Sequence, residues 1–310
     1  MRKGIVILGI FVADAAFRAS RQPKIGETIL GSGFALGPGG KGSNQAVAAA
    51  RAGAPVTFIT RLGVDAFADM ALSLWKDAGI AVLAEQDPAS YTGAAYIFLD
   101  ENSGNNAIIV APGAAADVSP ADLEAHRDAI SSASIFVTQL EQPLEAAVRG
   151  LEIAKQAGVT TILNPAPARA LDRSVLALCD YLTPNESEAE ILTGLPVTTV
   201  DEAKLAADRL MEMGAGAVII TLGDKGALYR TTTASVHVPV FSAGKVVDTT
   251  GAGDAFNGGF AAALAEGMDP IDAVRFGAVL AGISVTRAGT APAMPSRAEI
   301  DALITASRDR

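Results

Sequence analysis

The most chemically suggestive stretch of the sequence is residues 248–260, which read DTTGAGDAFNGGF. Gly251, Ala252 and Gly253 leave their backbone N–H groups accessible, and the apolar residues that follow predict a helix over residues 255–265 whose positive end faces the same spot. Asp254 is the first charged residue after this turn. An anion-binding turn beside a carboxylate is expected of a phosphoryl transferase with a carboxylate base. Such a turn is also a common helix N-cap, so the interpretation needs partners elsewhere.

A second polar turn, residues 39–44 (GGKGSN), lies before a stretch with helical periodicity. It is not a P-loop, because Gly42 follows Lys41 where Ser or Thr is required, and Ala35 occupies the place of the leading glycine. What remains is a tight turn with a cation and an amide, suited to binding sugar hydroxyls and approaching a phosphate. A structural turn with a solvated lysine is the alternative.

Composition narrows the class of protein. With 310 residues, half of them hydrophobic, the chain is long enough for a single α/β domain over residues 1–310. A net charge of -10 disfavours nucleic acids and anionic membranes as partners. One cysteine, Cys179, cannot form an internal disulfide, and two histidines are few for a His-rich metal site. We therefore expect a cytoplasmic protein, with no membrane-spanning segment.

The elements that must position these turns follow an alternating pattern. Apolar runs of strand length alternate with alanine-rich stretches of helical periodicity, which predicts an α/β fold with a mostly parallel sheet between two layers of helices. The predicted strands are residues 5–9, 56–61, 135–138, 160–163 and 217–221. The predicted helices are residues 44–52, 66–78, 144–158, 186–193 and 201–214. Ligand sites in such folds lie beyond the carboxyl ends of the strands.

Two segments depart from this pattern, at approximately residues 12–38 and 92–111. Both alternate like exposed strands without a helix of their own, and residues 100–104 (DENSG) predict a hairpin turn between two strands. We expect a small β-sheet lid outside the main sheet. One face of such a sheet must be covered, and the prediction is a homodimer formed through the lid, with a plain surface hairpin as the alternative.

The two turns together resemble a known family. Residues 39–46 (GGKGSNQA), with Gly53 and Gly63, resemble the first signature of the ribokinase-like carbohydrate kinases, the PfkB family, and residues 248–260 resemble the second. Further runs are similar to the bacterial ribokinases: residues 23–28, 139–143, 164–168, 183–186, 221–226 and 285–289. Because these runs occur in order over nearly the whole chain, the resemblance is very specific.

The resemblance implies a ribokinase-like three-layer fold and an ATP-dependent transfer of the γ-phosphoryl group to a primary hydroxyl, O5 of D-ribose or a related pentose. Asp254 would be the general base, and the amides of Gly251, Ala252 and Gly253 the anion hole. The implied sugar-binding residues are Val12, Asp14, Gly40, Lys41, Gly42, Ser43, Asn44 and Glu141, together with the base.

The resemblance also implies an ATP site and two ion sites. The implied nucleotide-binding residues are Asn185, Thr221, Gly223, Asp224, Lys225, Gly226 and Gly253. Asn185 and Glu188 would order Mg²⁺ through water, although on sequence alone they equally form a well-capped helix start. The implied K⁺ loop contains Asp248, Thr250, Ser284, Arg287 and Gly289.

Three residues depart from the family pattern. Val12 stands where ribokinases carry an asparagine that bonds a ribose hydroxyl, and Ala115 replaces another asparagine near the sugar. Ala293 replaces a serine of the cation loop, which weakens the case for K⁺. A deoxyribose, nucleoside or ketohexose kinase of the same family, or a catalytically silent sugar-binding protein, remain alternatives. Aromatic residues make up only 5% of the chain, which offers few side chains for stacking a nucleoside base.

Overall fold

Two β-sheets organise the chain in the computed structural model, which describes residues 4–103 and 105–308. The strands in these residues are β1 (Ile5–Leu8), β2 (Val12–Ala19), β3 (Gly33–Gly39), β4 (Val56–Leu62), β5 (Ala81–Gln86), β6 (Thr92–Asp100), β7 (Asn106–Gly113), β8 (Ile135–Thr138), β9 (Thr160–Leu163), β10 (Tyr181–Leu182), β11 (Ala217–Thr221), β12 (Ala227–Arg230) and β13 (Ser235–Val238). The α-helices are α1 (Lys41–Arg51), α2 (Ala66–Asp77), α3 (Pro120–Ala125), α4 (Arg127–Ser132), α5 (Leu144–Gln156), α6 (Arg173–Leu176), α7 (Glu186–Thr193), α8 (Val200–Glu212), α9 (Ala252–Ala265), α10 (Pro270–Ser284) and α11 (Arg297–Arg308).

The main sheet has the order β13-β12-β11-β10-β9-β8-β1-β4-β5. Its strands run parallel from β5 to β11, and β12 and β13 are added antiparallel at one edge. Strand β1 is buried on both faces, because Ile5 and Ile7 enter one core cluster and Val6 and Leu8 the other. The predicted α/β fold with a mostly parallel sheet is confirmed.

Helices cover both faces of this sheet. One core cluster contains side chains of α1, α2, α9, α10 and α11, and the other contains side chains of α3 to α8. Helices α1 and α9 approach especially closely at Gly258, where an added Cβ would lie 2.5 Å from the Ala48 Cβ and 2.6 Å from the Gln45 carbonyl oxygen. Glycine is therefore required at this crossing, since any side chain would push the two helices apart.

The small sheet has the order β3-β2-β6-β7 and confirms the predicted strands outside the main layer. The long segment between β2 and β3, residues 20–32, is almost entirely exposed. At the predicted hairpin turn, the Asp100 carboxylate accepts hydrogen bonds from the amides of Asn102 and Ser103. Gly104, which the turn prediction included, lies outside the described residues.

The two faces of the small sheet differ in exposure. Phe17 packs against Phe34 and Tyr96 on one face, and these rings are 43%, 62% and 36% exposed. We call this the outward face, and Leu36 lies on it as well. The opposite, inward face carries Asp14 and Val12, because successive residues of a strand point to opposite sides.

A search of the described residues finds no helix that combines the length and the hydrophobicity needed to cross a membrane.

Candidate active site

A cavity of about 150 Å³ lies beyond the carboxyl ends of β9, β10 and β11. Asn164, Thr183 and Thr221, which end or directly follow these strands, form one wall. The turn at residues 251–254 and the Lys41 side chain form another. The site therefore lies where parallel α/β sheets place their ligands.

Asp254 lies in the first turn of α9 and is 7% exposed. Each of its carboxylate oxygens accepts a hydrogen bond, Oδ2 from Asn44 Nδ2 at 3.0 Å and Oδ1 from Gln45 Nε2 at 3.1 Å. Burial raises the pKa of Asp254 above its ordinary value, and the Lys41 charge and the two amide donors oppose that rise. The carboxylate is thus more basic than one in water, which suits a group that accepts a proton.

The turn before Asp254 has the geometry of an anion site. Gly251 is the N-cap of α9 with φ +76°, a left-handed conformation that favours glycine. The helix then directs the N–H groups of its first turn, and the positive end of its dipole, into the cavity. One of the three amides predicted to be accessible is engaged, because the Ala252 N–H donates to the Thr249 carbonyl at 3.2 Å.

Lys41 lies among several carboxylates at one side of the site. The backbone N–H of Lys41 donates to Glu141 Oε2 at 2.8 Å. Burial raises the pKa of Glu141 to about 7, and burial together with the Asp254 charge raises the pKa of Asp14 to about 6. Burial alone would lower the pKa of Lys41, but the charges of Asp254, Glu141 and Glu188 raise it. Electrostatic interactions therefore link Lys41 to Asp254, Glu141 and Glu188, and they link Asp14 to Asp254 and Glu141.

Other residues of the first signature shape the turn. Gly40 has φ +90°, and a Cβ there would lie 2.4 Å from the Ile10 carbonyl oxygen. Gly42 packs its Cα against Gly9, since a Cβ there would lie 2.6 Å from that neighbour. Ser43 is fully buried, and its hydroxyl accepts a hydrogen bond from Trp75 Nε1 at 2.9 Å. The structure thus directs Ser43, a predicted sugar contact, into the core.

Val12 and Ala115, the two departures near the sugar, lie in one apolar cluster. Both are buried, at 4% and 1% exposure, and they pack with Ile10, Ala95 and the partly buried Ile97. Val12 precedes Asp14 by two residues on the same face of β2 and pairs with Gly39 across the strands. An apolar wall therefore adjoins the polar turn at residues 39–44, which is the predicted sugar contact.

Asn185 and Glu188 form the capping box of α7, in which Asn185 Oδ1 accepts from the Glu188 amide and Glu188 Oε2 accepts from the Asn185 amide. The capped helix start is therefore observed, and both residues also line the cavity. Burial raises the pKa of Glu188, while the Asn185 N–H and Lys41 lower it. Hard oxygen donors with one carboxylate oxygen outside the capping box fit a Mg²⁺ ion that keeps its waters.

The predicted nucleotide loop follows β11. Thr221 lines the cavity and forms an isolated parallel bridge with Asn185. Gly223 and Gly226 have φ of +55° and +94° and close a tight turn around the exposed Asp224 and Lys225. Lys225 Nζ donates to the Thr198 carbonyl at 2.9 Å. This turn lies outside the cavity lining, except for Thr221 at its start.

The predicted cation loop brings two distant segments together. Asp248 accepts from the Thr250 amide at 2.9 Å and from the Gly289 amide at 3.0 Å. Burial raises the pKa of Asp248, but these hydrogen bonds outweigh it and hold the pKa below its usual value. Ser284 Oγ donates to the Ala281 carbonyl, and Arg287 pairs with Glu299, so neither side chain is directed at Asp248. The loop also adjoins the anion turn, because a Cβ on Gly251 would lie 3.3 Å from Thr290.

Several buried amides near Asp254 were given no role from the sequence. Gln45, Gln139, Asn164 and Asn257 are hydrogen-bonded to one another, to the base, or to its neighbouring peptide. Two of them, Gln139 and Asn164, directly follow β8 and β9. The only sequence signal for Gln139 and Asn164 is that each is an uncharged amide at the end of a predicted strand. Nothing in the sequence near them indicates that their side chains join one network.

Comparisons with known proteins agree with this geometry. A model described as pfkB family carbohydrate kinase matches residues 2–297. The chain is 40% identical over 294 residues to the deoxyribokinase of Salmonella typhi, covering 94% of this chain and 95% of that protein. It is 39% identical over 300 residues to the ribokinase of Haemophilus influenzae, covering 96% and 97%. Among solved structures, Arabidopsis thaliana ribokinase complexed with ribose and ATP aligns with a TM-score of 0.91 and 32% identity, covering 98% of this chain and 99% of that one.

With both signature turns at one cavity, and with this similarity over nearly its whole length, the chain belongs to the pfkB family of carbohydrate kinases.

Proposed function

We propose that this carbohydrate kinase transfers the γ-phosphoryl group of ATP to the primary hydroxyl, O5, of a pentose. The observation that carries the proposal is the position of Asp254, which faces the sugar-binding turn on one side and the anion turn on the other. Ribokinase and deoxyribokinase relatives at 39% and 40% identity support a pentose as the acceptor.

In the proposed reaction the sugar lies between Asp14, Lys41 and Asn44, with O5 directed at Asp254. The Oδ1 of Asn44 is buried without a hydrogen-bond partner among the described residues, so it is ready to accept from a sugar hydroxyl. As O5 attacks the γ-phosphorus, its proton passes to Asp254, and the bond from phosphorus to the leaving ADP oxygen breaks. The amides of Gly251 and Gly253 stabilise the negative charge on the transferring group.

The nucleotide would bind with its phosphates toward this turn and extend past Thr221 to Gly223 and Gly226. Mg²⁺ supplies charge neutralisation on the phosphates when bound, and Asn185 and Glu188 would hold its waters. We also propose K⁺ at the loop of Asp248 and Gly289, supported by the contact between that loop and Gly251. Loss of activity when K⁺ is replaced by a bulky organic cation checks this assignment.

The assignment of the base has a direct test. Asp254→Asn keeps the size of the side chain but cannot accept the proton, so turnover is expected to fall by about 10² to 10⁴ while ATP binding is retained. A coupled assay of ATP consumption with pentoses measures the turnover. Asp69→Asn, a change at an exposed carboxylate of α2, is the matched control. Near-normal turnover of Asp254→Asn would overturn the role of the base.

A deoxypentose such as 2-deoxyribose is the second candidate acceptor, and the apolar cluster of Val12 and Ala115 favours it. A hydroxyl directed at this buried cluster would lose its hydrogen bonds to water, at a cost of about 1 to 3 kcal/mol. A sugar that lacks that hydroxyl avoids the penalty. The deoxyribokinase relative is consistent with this choice.

Val12→Asn separates the two candidates. If the cluster selects the deoxypentose, the variant should raise kcat/KM for ribose relative to 2-deoxyribose by about tenfold or more. Val110→Asn, at a 47% exposed position of β7, is the matched control. An unchanged preference in the Val12 variant would leave ribose as the better choice.

We propose, further, that residues 1–310 are one α/β domain with the small sheet as its lid, that the protein is a homodimer, and that it is cytoplasmic. The exposed aromatic rings of the outward face support the dimer. The buried free thiol of Cys179 supports a reducing compartment.

A further inference from the structure

The carboxylate of Asp254 is held by more than its nearest neighbours. Asn44 donates to one oxygen and Gln45 to the other, and these two residues are consecutive in α1. Gln45 is fully buried and has no access to the cavity, so it does not act as a sugar or nucleotide ligand. Its contact with Asp254 therefore serves the carboxylate itself.

The orientation of the Gln45 amide depends on Gln139, which contacts the side of that amide away from Asp254. Gln139 Nε2 donates to Gln45 Oε1 at 2.6 Å, which leaves the donor end of Gln45 directed at Asp254 Oδ1 and Asn164 Oδ1, both at 3.1 Å. Gln139 is itself confined, because Cβ atoms on Gly9 and Gly42 would lie 2.7 and 2.8 Å from its Oε1. A reversed Gln45 amide would direct its oxygen at the carboxylate and its N–H₂ group at the Gln139 N–H₂ group, so the observed orientation is strongly favoured.

A ring of hydrogen bonds then returns to the peptide before the base. Asn164 Nδ2 donates to the Thr183 carbonyl at 2.9 Å, and Thr183 Oγ1 donates to Asn257 Oδ1 at 2.6 Å. Asn257 Nδ2 donates to the Gly253 carbonyl at 2.9 Å. The side chain of Asp254 and the peptide that precedes it are thus fixed by one buried network.

We propose that Gln45 is the positioning residue of the base: with its amide oriented by Gln139, it keeps Asp254 ionised and aimed at the sugar hydroxyl. This inference rests on the proposed function, in which Asp254 accepts the proton. The charged groups facing Asp254 are Lys41 on α1, Asp14 on β2, Glu141 after β8 and Glu188 on α7. Three of these four groups are carboxylates, whose negative charges disfavour the ionised form of Asp254. The N–H donors oppose this effect, so the loss of one donor leaves the ionised form less stable.

Gln45→Met tests the proposal, since methionine keeps the length of the side chain and removes the donor. The acidic limb of the kcat/KM profile against pH is expected to move upward by about one pH unit, because a hydrogen bond to an ionised group is lost. The kcat at the pH optimum is expected to fall by about tenfold, and the KM for ATP to stay within about twofold. Gln139→Met, which frees the Gln45 amide to turn, should move the limb in the same direction by less.

Gln142→Met is the matched control, because Gln142 is a buried amide that donates to Thr138 Oγ1 and the Gln139 carbonyl and does not touch Asp254. A thermal melt of each variant measures the purely structural cost. Should Gln45→Met fail to fold, Gln139→Met carries the test. The inference is overturned if the folded variants keep the wild-type limb while Asp254→Asn is inactive; an active Asp254→Asn would instead remove the proposed base.

Discussion

The carboxyl groups of Asp14 and Glu141 are less acidic in the folded protein than they would be in water. The pKa of Asp14 is about 6 and that of Glu141 about 7, in both cases raised chiefly by burial. The folded protein therefore binds these protons more tightly than the unfolded chain does. As the pH rises from about 4 through these values, the folded state loses stability relative to the unfolded state. At neutral pH and above, the partly buried carboxylates of the site therefore lower the stability of the folded protein.

Asp14→Asn tests how much the Asp14 carboxylate lowers the free energy of unfolding. The variant removes a partly buried charge that interacts with Asp254, so at pH 8 its free energy of unfolding is expected to exceed that of the wild type by roughly 2 kcal/mol. The difference should shrink as the pH falls toward 4, where the wild-type carboxyl is protonated in the folded state and about half protonated in the unfolded chain. Thermal melts between pH 4 and pH 8 measure it. Sugar binding should be weakened in the same variant, and a variant no more stable at pH 8 would contradict the expectation.

How far the residues of the site can be predicted from the sequence depends on whether their signal is local. Asp254 and the turn before it can be recognised from the sequence, because the glycine turn, the carboxylate and the start of the helix are adjacent in the chain. The contact between Gln45 and Asp254 spans 209 positions, and that between Gln45 and Asn164 spans 119. Ser43 belongs to a signature but points to Trp75, because a helix turns successive side chains to different faces.

At the scale of elements, the site depends on how closely α9 approaches α1. Asp254 and Gly258 are one turn apart on the same face of α9, and Gly258 lies against Ala48 and the Gln45 backbone. The glycine thus sets the separation at which Asn44 and Gln45 reach the base. The hydrophobic periodicity of the sequence predicts α1 and α9 as helices. It does not predict α10, which is apolar on nearly all sides, or β10, which has only two residues.

Gly258→Ala is expected to disturb this crossing. A methyl group there would lie 2.5 Å from the Ala48 Cβ, and overpacking of this kind costs about 1 to 3 kcal/mol. Because the added methyl separates the helices, kcat should fall as well. Gly37→Ala is the matched control for stability, since its Cβ would meet nothing within 4 Å. Unchanged stability and kcat in Gly258→Ala would show that the crossing is looser than described.

At the scale of the whole molecule, the outward face of the small sheet places exposed apolar side chains side by side on an acidic protein. Phe34 is 62% exposed and Leu36 is 44% exposed on a chain of net charge -10. Apolar patches of this kind in polar surroundings mark protein contacts. A second copy of the same sheet is the proposed cover, since a two-fold interface requires a surface that is complementary to itself.

Phe34→Glu should therefore convert the dimer to a monomer, because two like charges would meet in an apolar contact. Light scattering after size-exclusion chromatography measures the mass. Leu205→Glu, at a 63% exposed leucine of α8, is the matched control and should keep the mass of the wild type. A wild-type protein that is already monomeric at micromolar concentration would contradict the proposed dimer.

The pleat of β2 has a consequence for how such a protein can change over evolution. Val12 and Asp14 point to the inward face, where the sugar is proposed to bind, and Ala15 and Phe17 point to the outward face, where the dimer contact is proposed. The residues of the two proposed contacts therefore alternate along one strand. An insertion or deletion of one residue within β2 would exchange the two sets and destroy both at once. Substitution is the route left open, because replacing one inward-facing residue such as Val12 keeps the register of the strand and so leaves the outward face unchanged.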